Sequence, residues 1–356
     1  MTQLNIPRRV GAADDASLPV IAFTLGDAAG IGPELVAKLA ASGFLQQQDA
    51  RPILVGDQSV LEAGMRVANV SFPYTVATSI EDALAAEGLV LLHTNTMDAS
   101  TVQIGKVSPE LGSEEAGIML KCAGFCKDGF IDGFVFAPLN KAAMRLGGFN
   151  FESEHELLAE FFGITGPHGE MNVLDGLWTS RVTSHIPLKA VSANLTTQRV
   201  LDAINLAYET LYRAGFDAPR IAISAINPHG GDSGTTGREE IEVLAPAIEQ
   251  ANNNGLKVVG PFPADTLFIK AFEGEYDAVV TMYHDQGQIA LKLRGFERGV
   301  TVAAGLPYAI TTPAHGTAYD IAGRGIAKVG ASEEAYRIAI RMAKRDKLIR
   351  AAAQKV

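Results

Sequence analysis

Short apolar runs alternate with longer helical patterns along almost the whole chain. Residues 20–25 predict a buried strand, residues 26–32 a turn, and residues 33–41 a helix with Pro33 in its first turn. Regular alternation of strands and helices is typical of a mostly parallel sheet covered by helices, so the sequence predicts the α/β class. Further strands are predicted at Pro52–Val55, Gly88–Leu92, Gly133–Phe136, Ile221–Ala225, Lys257–Val259 and Ala278–Met282. Further helices are predicted at Glu114–Asp128, Thr197–Arg213, Arg238–Asn252, Asp265–Ala271 and Glu333–Lys347.

Length and composition fit a chain with a large buried core. Its 356 residues are 47% hydrophobic and 20% charged, enough for one large unit or two closely joined domains. We predict two interlaced domains. One comprises residues 18–137 and 300–348, and the other comprises residues 138–299.

The charge and the terminal composition limit the kinds of partner. A formal net charge of −10 argues against binding to nucleic-acid phosphates or to an anionic membrane, so we expect a small-molecule partner. Residues 1–17 lack the apolar stretch of a signal peptide, and no apolar run reaches the length of a membrane span. Cys122 and Cys126 share one helix face and are expected to be reduced core thiols. These features predict a soluble, cytoplasmic protein.

A glycine-rich segment, GDAAGIGPE, occupies residues 26–34 between the first strand and the first helix. Free backbone N–H groups at such a turn can bind an anion or a substrate. Glycines at a strand-to-helix turn can also serve steric needs alone. The pattern is neither G-x-G-x-x-G nor a P-loop, so both interpretations stay open.

Three histidines follow predicted strands. His229 and His284 come after the strands at 221–225 and 278–282, and His185 follows a short extended run. Each one alone is an ordinary surface or core histidine. Together, at the carboxyl ends of strands in an open sheet, they would supply three nitrogen ligands and leave a divalent cation open to substrate.

Residues 315–325, HGTAYDIAGRG, are rich in small side chains around a short helix start. Such a segment allows a nucleotide to approach the backbone, although it can equally be a loop packed under the sheet. The predicted cofactor-binding residues are His315, Gly316, Thr317, Ala318, Asp320 and Gly323.

Five segments in order resemble the PdxA family of the isocitrate and isopropylmalate dehydrogenase-like superfamily. They are GDAAGIGPE at 26–34, APLNK at 137–141, TSHIPL at 183–188, NPH at 227–229 and YHDQG at 283–287. The likeness runs from about residue 21 to residue 327, and HGTA at 315–318 is similar to the cofactor segment of the superfamily. This resemblance implies a three-layer α/β/α, isopropylmalate dehydrogenase-like fold.

The resemblance also implies a site and a reaction. The family's divalent-metal ligands fall on His185, His229 and His284, at an interface where both subunits of a homodimer contribute. The metal would be zinc, cobalt, manganese or magnesium. Hydride would leave a secondary alcohol carbon of a hydroxy acid for NAD or NADP, and the resulting β-keto acid would lose carbon dioxide.

Further catalytic candidates come from the same comparison. The family's conserved substrate lysine falls on Lys292, and Lys292 or Lys141 is a candidate proton shuttle. Asp285, beside His284, is a third candidate, and Asp27 in the glycine-rich turn is a candidate substrate ligand.

Four positions depart from the family pattern where substrate is expected. Glu154 and His155 stand in place of the family's substrate-contacting His and Thr, Thr301 in place of Asn, and Ile310 in place of Arg. Loss of an arginine removes a bidentate phosphate partner, and Glu154 would repel phosphate. The sequence therefore predicts an unphosphorylated hydroxy acid or a carboxylated cis-dihydrodiol at least as well as 4-phosphohydroxythreonine.

Two other classes of function remain as alternatives. Phosphate or acyl transferases are distant relatives in fold, but they do not need the three histidines. A non-catalytic metabolite-binding paralogue would not need to keep Lys292 together with the three ligands. The three histidines and Lys292 therefore favour a dehydrogenase over both alternatives.

Overall fold

The computed structural model describes residues 18–353, apart from the side chain of Phe296, and the polar segment 1–17 lies outside the described residues. The strands are β1 (Val20–Thr24), β2 (Arg51–Gly56), β3 (Thr75–Ala77), β4 (Val90–His93), β5 (Gly133–Phe136), β6 (Gly169–Leu174), β7 (Leu177–Arg181), β8 (Arg220–Ser224), β9 (Lys257–Phe262), β10 (Ala278–Thr281), β11 (Val300–Ala304) and β12 (Ala309–Pro313). The α-helices are α1 (Gly32–Ala41), α2 (Gln58–Ala68), α3 (Ile80–Ala85), α4 (Pro109–Lys127), α5 (Lys141–Leu146), α6 (Glu154–Phe162), α7 (Val191–Asn194), α8 (Thr197–Arg213), α9 (Ala245–Asn253), α10 (Ala264–Phe272), α11 (His284–Gly295) and α12 (Gly330–Ala353). No helix within residues 18–353 is both long enough and apolar enough to cross a membrane.

The described residues divide into two compact units. The first unit comprises residues 18–164 and 306–353, and the second comprises Thr165–Gly305. The boundaries predicted from sequence differ from this division at 138–164 and at 300–305. Helices α5 and α6 pack on α4, which places the former segment in the first unit, and β11 pairs with β6, which places the latter in the second.

The first unit contains six parallel strands in the order β3-β4-β2-β1-β5-β12. β1 is buried over most of its length and pairs with β2 on one side and with β5 on the other. Helix α12 packs against β5 and β12, and its Tyr336 ring lies 6.1 Å from the ring of Phe23 on β1. Because β1, β5 and β12 are neighbouring parallel strands, the segments that follow them leave from the same edge.

The second unit contains six strands in the order β11-β6-β7-β10-β8-β9. β11, β6 and β7 are antiparallel, whereas β7, β10, β8 and β9 run parallel. Trp178 on β7 is 1% exposed and packs edge-to-face on Phe216 at 6.4 Å between ring centroids. Because β10 pairs in parallel with both β7 and β8, the carboxyl ends of these three strands lie side by side.

The predicted α/β class with a mostly parallel sheet is confirmed, and Cys122 and Cys126 are buried free thiols as predicted. Helix α4 begins at Pro109, five residues before the predicted start, because the Ser108 hydroxyl caps it by accepting the Leu111 N–H at 3.3 Å. The helix predicted at 238–252 begins instead with a π-helical turn at Glu240–Leu244 before α9.

Packing of α5 on α4 yields a stability prediction. A Cβ added at Gly112 of α4 would lie 2.0 Å from the carbonyl carbon of Ala143, whereas one added at Gly117 of the same helix meets nothing within 4 Å. We expect Gly112→Ala to lower the free energy of unfolding by ~3 kcal/mol or more, because backbone has to move. The matched Gly117→Ala should raise it by ~0.5–1 kcal/mol. Urea unfolding of both variants checks this, and equal stabilities would contradict the packing.

Candidate functional site

The three predicted metal ligands follow the three adjacent strand ends of the second unit. His185 comes four residues after β7, His284 begins α11 directly after β10, and His229 lies in the loop after β8. Since β10 pairs in parallel with both β7 and β8, all three segments leave the sheet at one edge. Ligand sites of open α/β sheets lie at such edges.

Two of these histidines are close together. The ring centroids of His185 and His284 are 5.9 Å apart. Within residues 18–353, no group of three or more His, Cys, Asp or Glu side chains is arranged to hold a metal ion. A single chain therefore brings His185 and His284 together without joining His229 to them.

The backbone at two of the ligands is unusual. His185 has φ of 35° and His229 has φ of 55°, in the left-handed region that few residues other than glycine adopt. Each such residue costs on the order of 1–3 kcal/mol, and conformations of this kind concentrate at functional sites. Asp232 and Ser233 continue the same left-handed backbone in the loop after β8.

Side chains of the family-like segments tie the strand ends together. Gln286 accepts the Met282 N–H at 2.8 Å and donates to the Ala225 carbonyl at 2.8 Å, which bridges the ends of β10 and β8. The Thr183 hydroxyl donates to the Met282 carbonyl at 2.7 Å, which bridges β7 and β10. These bonds fix the backbone from which His185 and His284 project.

The loop after β8 is held by a carboxylate that sequence reasoning did not single out. Glu240 is 3% exposed and accepts the N–H groups of Ile226 and Asn227 at 2.9 and 2.8 Å. Asn227 also donates its side-chain amide to Glu240 at 2.9 Å and to Glu239 at 2.7 Å. The loop that carries His229 is therefore anchored at its start through both the backbone and the side chain of Asn227.

The donor chemistry of His284 suits a metal ligand. Its Nδ1 lies 2.7 Å from a carboxylate oxygen of Asp285, so Nε2 is the nitrogen left to bind a cation. Asp285, predicted as catalytic, is placed as this partner. Gln288 and Lys292 follow His284 at intervals of four on α11 and share its helix face, and Lys292 is exposed.

In the first unit, the glycine-rich turn packs against the predicted cofactor segment. A Cβ at Gly30 would lie 2.9 Å from the carbonyl oxygen of Thr317, and the Ile31 N–H donates to that oxygen at 3.1 Å. Gly30 is therefore required for steric reasons, because a side chain there would clash with the backbone of Thr317. Gly316 faces open space, since a Cβ there meets nothing within 4 Å.

A buried carboxyl pair lies beside this turn. Asp27 is fully buried and accepts the Ala29 N–H at 2.8 Å and the Tyr319 hydroxyl at 2.5 Å. Glu115 of α4, 3% exposed, accepts the Asn140 N–H at 3.0 Å through one oxygen, while its other oxygen is buried without a hydrogen-bond partner. Sequence reasoning missed Glu115 and Tyr319.

Electrostatics assign a proton to this pair. Burial, and next the negative charge of Asp27, raise the pKa of Glu115 to about 9. Burial also raises the pKa of Asp27. At neutral pH the Glu115 carboxyl is therefore protonated beside Asp27, which makes it a hydrogen-bond donor as well as an acceptor.

Two predicted residues flank this pair. Lys141, at the start of α5, forms an ion pair of 3.3 Å with Glu154, at the start of α6. The negative charge of Glu154 adds to the rise in the pKa of Glu115. The ion pair therefore places the Lys141 ammonium beside the Glu154 carboxylate. His155, the next residue on α6, is 4% exposed.

The last two predicted substrate residues occupy different environments. Ile310 is 0% exposed in β12 and lies opposite Phe134 of β5, so its side chain packs in the core of the first unit. Its place among the predicted substrate-binding residues stays a prediction. Thr301 of β11 is half-buried in the second unit, opposite Asn172 of β6.

Comparisons with known proteins agree with this architecture. The sequence model of a family described as "Pyridoxal phosphate biosynthetic protein PdxA" matches residues 48–339. A Pseudomonas aeruginosa protein called "Putative 4-hydroxythreonine-4-phosphate dehydrogenase 2" is 45% identical over 330 residues, 92% of this chain and 97% of the relative. The D-threonate 4-phosphate dehydrogenase of Cupriavidus necator is 38% identical over 329 residues, 92% of this chain and 98% of the relative. The crystal structure of 4-hydroxythreonine-4-phosphate dehydrogenase from Klebsiella pneumoniae gives a TM-score of 0.79 at 32% identity and covers 93% of this chain and 100% of that one.

The fold and these relatives define an NAD(P)-linked dehydrogenase that acts on a CH–OH group. Within that class, the chain belongs to the PdxA family. The predicted resemblance and the predicted enzyme class are thereby confirmed.

The protonated carboxyl predicts a pH dependence of stability. The ordinary pKa of a glutamate, 4.5, rises to about 9 for folded Glu115, so between these values the folded state holds a proton that the unfolded state releases. The stability from this proton is complete below pH 4.5 and is lost as pH rises towards 9. We expect the free energy of unfolding to fall less in Glu115→Gln than in wild type between pH 5 and pH 9. The two decreases should differ by more than ~1.4 kcal/mol, the free energy that corresponds to one pKa unit. Urea unfolding across pH tests this with the neighbouring, half-exposed Glu114→Gln as control, and parallel curves for wild type and Glu115→Gln would refute it.

Proposed function

We propose that this protein oxidises a secondary alcohol of a hydroxy acid with NAD or NADP and a divalent metal, followed by decarboxylation of the β-keto acid. The observation that carries the proposal is the His185–His284 pair, 5.9 Å between ring centroids, at neighbouring strand ends of a PdxA-family chain. The expected cytoplasmic location stays a prediction.

The chain's own residues fit a metal. His185 and His284 would supply two imidazole nitrogens, with Asp285 fixing the tautomer of His284. We propose a homodimer in which His229 of a second copy completes the ligand set, as the family resemblance implies. Zinc, cobalt, manganese or magnesium, when bound, would lower the pKa of the substrate hydroxyl and stabilise developing negative charge.

Proton transfer and cofactor binding fall to other residues. Lys292 projects from the helix face that carries His284, which suits it to hold a substrate carboxylate or to receive the alcohol proton. Lys141, paired with Glu154, is the second candidate for this proton. The nucleotide would lie along residues 315–325, where Gly316 leaves its backbone uncovered and Thr317 anchors the segment to the glycine-rich turn.

The substrate proposed is an unphosphorylated hydroxy acid. The Glu154 carboxylate would oppose a phosphate, and the position where the family has an arginine is the buried Ile310. Two phosphorylated candidates compete with it, because the relatives are named for 4-hydroxythreonine 4-phosphate and D-threonate 4-phosphate. A carboxylated cis-dihydrodiol remains a further candidate from the sequence.

One experiment tests the function. Reduced-nicotinamide absorbance is followed with NAD and with NADP over a panel of hydroxy acids, their 4-phosphates and carboxylated cis-dihydrodiols, before and after chelation and metal return. We expect turnover of a hydroxy acid that chelation abolishes and metal restores. His284→Ala should lower kcat/KM by more than ~100-fold, because even residues behind metal ligands contribute ~10–100-fold. His168→Ala, elsewhere in the second unit, is the matched control.

Two results would count against parts of the proposal. Full turnover after exhaustive chelation would remove the metal from the mechanism. Efficient turnover of a 4-phosphate with none of its unphosphorylated form would replace the proposed substrate by the phosphorylated alternative.

A further inference from the structure

The predicted cofactor segment, residues 315–325, is anchored near both of its ends in the first unit. Near its start, the Thr317 carbonyl accepts the Ile31 N–H at 3.1 Å. At its end, the Lys38 ammonium donates to the Gly325 carbonyl at 3.0 Å. The conformation of the stretch between these anchors therefore depends on further contacts.

Tyr319 supplies such a contact in the middle of the segment. Its hydroxyl donates to the Asp27 carboxylate at 2.5 Å. Burial, and next this hydrogen bond, raise the pKa of Tyr319, so its hydroxyl remains a donor. Ala318, directly before it, has φ of 46°, which is unfavourable for residues other than glycine. The bond between Tyr319 and Asp27 therefore holds the segment where its backbone is strained.

Asp27 is itself fixed by its surroundings. Its N–H donates to the Pro138 carbonyl at 3.0 Å, and its carboxylate accepts the Ala29 N–H at 2.8 Å. The carboxyl of Glu115 on α4 lies within hydrogen-bond reach of the Asp27 carboxyl. Both groups are buried, and two carboxylates in contact there would repel each other, so the pair keeps one proton.

The hydrogen bonds of Glu115 show which oxygen carries this proton. One oxygen accepts the Asn140 N–H at 3.0 Å, and the other is buried without a partner as long as the group is a carboxylate. A proton on the second oxygen lets it donate to Asp27, which satisfies both groups. Glu115 thus connects Asn140, directly before Lys141, to the aspartate that holds Tyr319.

The charges around the pair favour retention of the proton. Burial and the charge of Asp27 raise the pKa of Glu115 to about 9, and the charge of Glu154 on α6 adds to this rise. Lys141 of α5 forms an ion pair with Glu154 at 3.3 Å. β1 and β5, which also pack against α4, carry no titratable side chain. The other titratable residues of α5 and α6 are the buried His155 and the exposed Arg145, Glu156 and Glu160.

We propose that Asp27 and Glu115 share one proton and act as positioning residues, which hold Tyr319 and with it residues 315–325 in the conformation that binds the nucleotide. Loss of the proton would add a negative charge that opposes both the contact of the two carboxyl groups and the approach of an anionic dinucleotide. Nucleotide binding is therefore linked to this proton. The inference rests on the proposed use of NAD or NADP and assigns the groups that position the cofactor segment.

The test measures nucleotide binding without turnover. NADH and NADPH are titrated by fluorescence between pH 6 and pH 10. We expect the Kd of wild type to be constant at low pH and to rise about tenfold between pH 8 and pH 10, as the proton with a pKa of about 9 is lost. Glu115→Gln keeps a donor for Asp27 at every pH, so its Kd should change less than ~threefold over the same interval. The half-buried Glu114→Gln is the matched control and should follow wild type.

Companion variants separate positioning from folding. Tyr319→Phe should raise Kd by ~10-fold or more at pH 7, and Glu115→Ala by ~10–100-fold, because each loses a hydrogen bond to a charged group. The double variant should lose no more than the larger single loss, since both residues act through Asp27. Tyr74→Phe, whose hydroxyl bonds to Glu62 at 3.3 Å, is the matched control. Circular dichroism accompanies each variant, and Glu115→Gln and Tyr319→Phe carry the test if Glu115→Ala does not fold.

Three results would overturn the inference. A wild type that binds NADH or NADPH with the same pH curve as Glu115→Gln would show that the proton is not linked to binding, while the proposed function stands. Unchanged affinity in Tyr319→Phe would show that Tyr319 does not hold the segment. Binding of neither nucleotide by wild type at any pH would remove the proposed cofactor, and this inference with it.

Discussion

Parallel pairing of β10 with β7 on one side and with β8 on the other is the constraint on which the candidate site depends. It brings three chain segments that lie far apart in sequence to one sheet edge, and short side-chain bonds from Thr183 and Gln286 then hold the strand ends in register. His185 and His229 adopt left-handed backbone, which is unfavourable for residues other than glycine. The hydrogen bonds that anchor their loops offset this conformational cost. The second unit is therefore built to present imidazoles at an edge.

The first unit answers a different physical problem, the burial of acidic groups. Asp27 and Glu115 are both out of solvent, and two negative charges there would be unstable, so the pair retains a proton. Asp27 also accepts the hydroxyl of Tyr319, a residue of the predicted cofactor segment, and the Lys141–Glu154 ion pair flanks the carboxyl pair. The Asp27 carboxyl therefore joins the glycine-rich turn to the segment after β12.

The sequence predicts an element well when the side chains that the element buries are apolar, and poorly when they are polar. β5 and α8 were predicted at their observed bounds, because a fully apolar strand and a strongly amphipathic helix leave clear patterns. The β6–β7 hairpin was missed, because Glu170, Asn172 and Arg181 are polar residues that a hydrogen-bond network stabilises in the sheet. Glu115 gave no signal, since a glutamate in a helix is usually exposed. Ile310 was placed in the substrate site from its alignment, whereas its apolar side chain and its neighbours in β12 are typical of a core strand.

The proposed role of His185 and His284 is to bind the divalent cation on which oxidation of a hydroxy acid depends. Visible absorption of the cobalt-loaded protein tests it most directly, because the bands of bound cobalt report its ligands without requiring turnover. We expect the protein to bind stoichiometric cobalt whose bands change on addition of the hydroxy acid. These bands should be lost or strongly altered in His185→Ala and in His284→Ala. Bands identical in wild type and in both variants would contradict it.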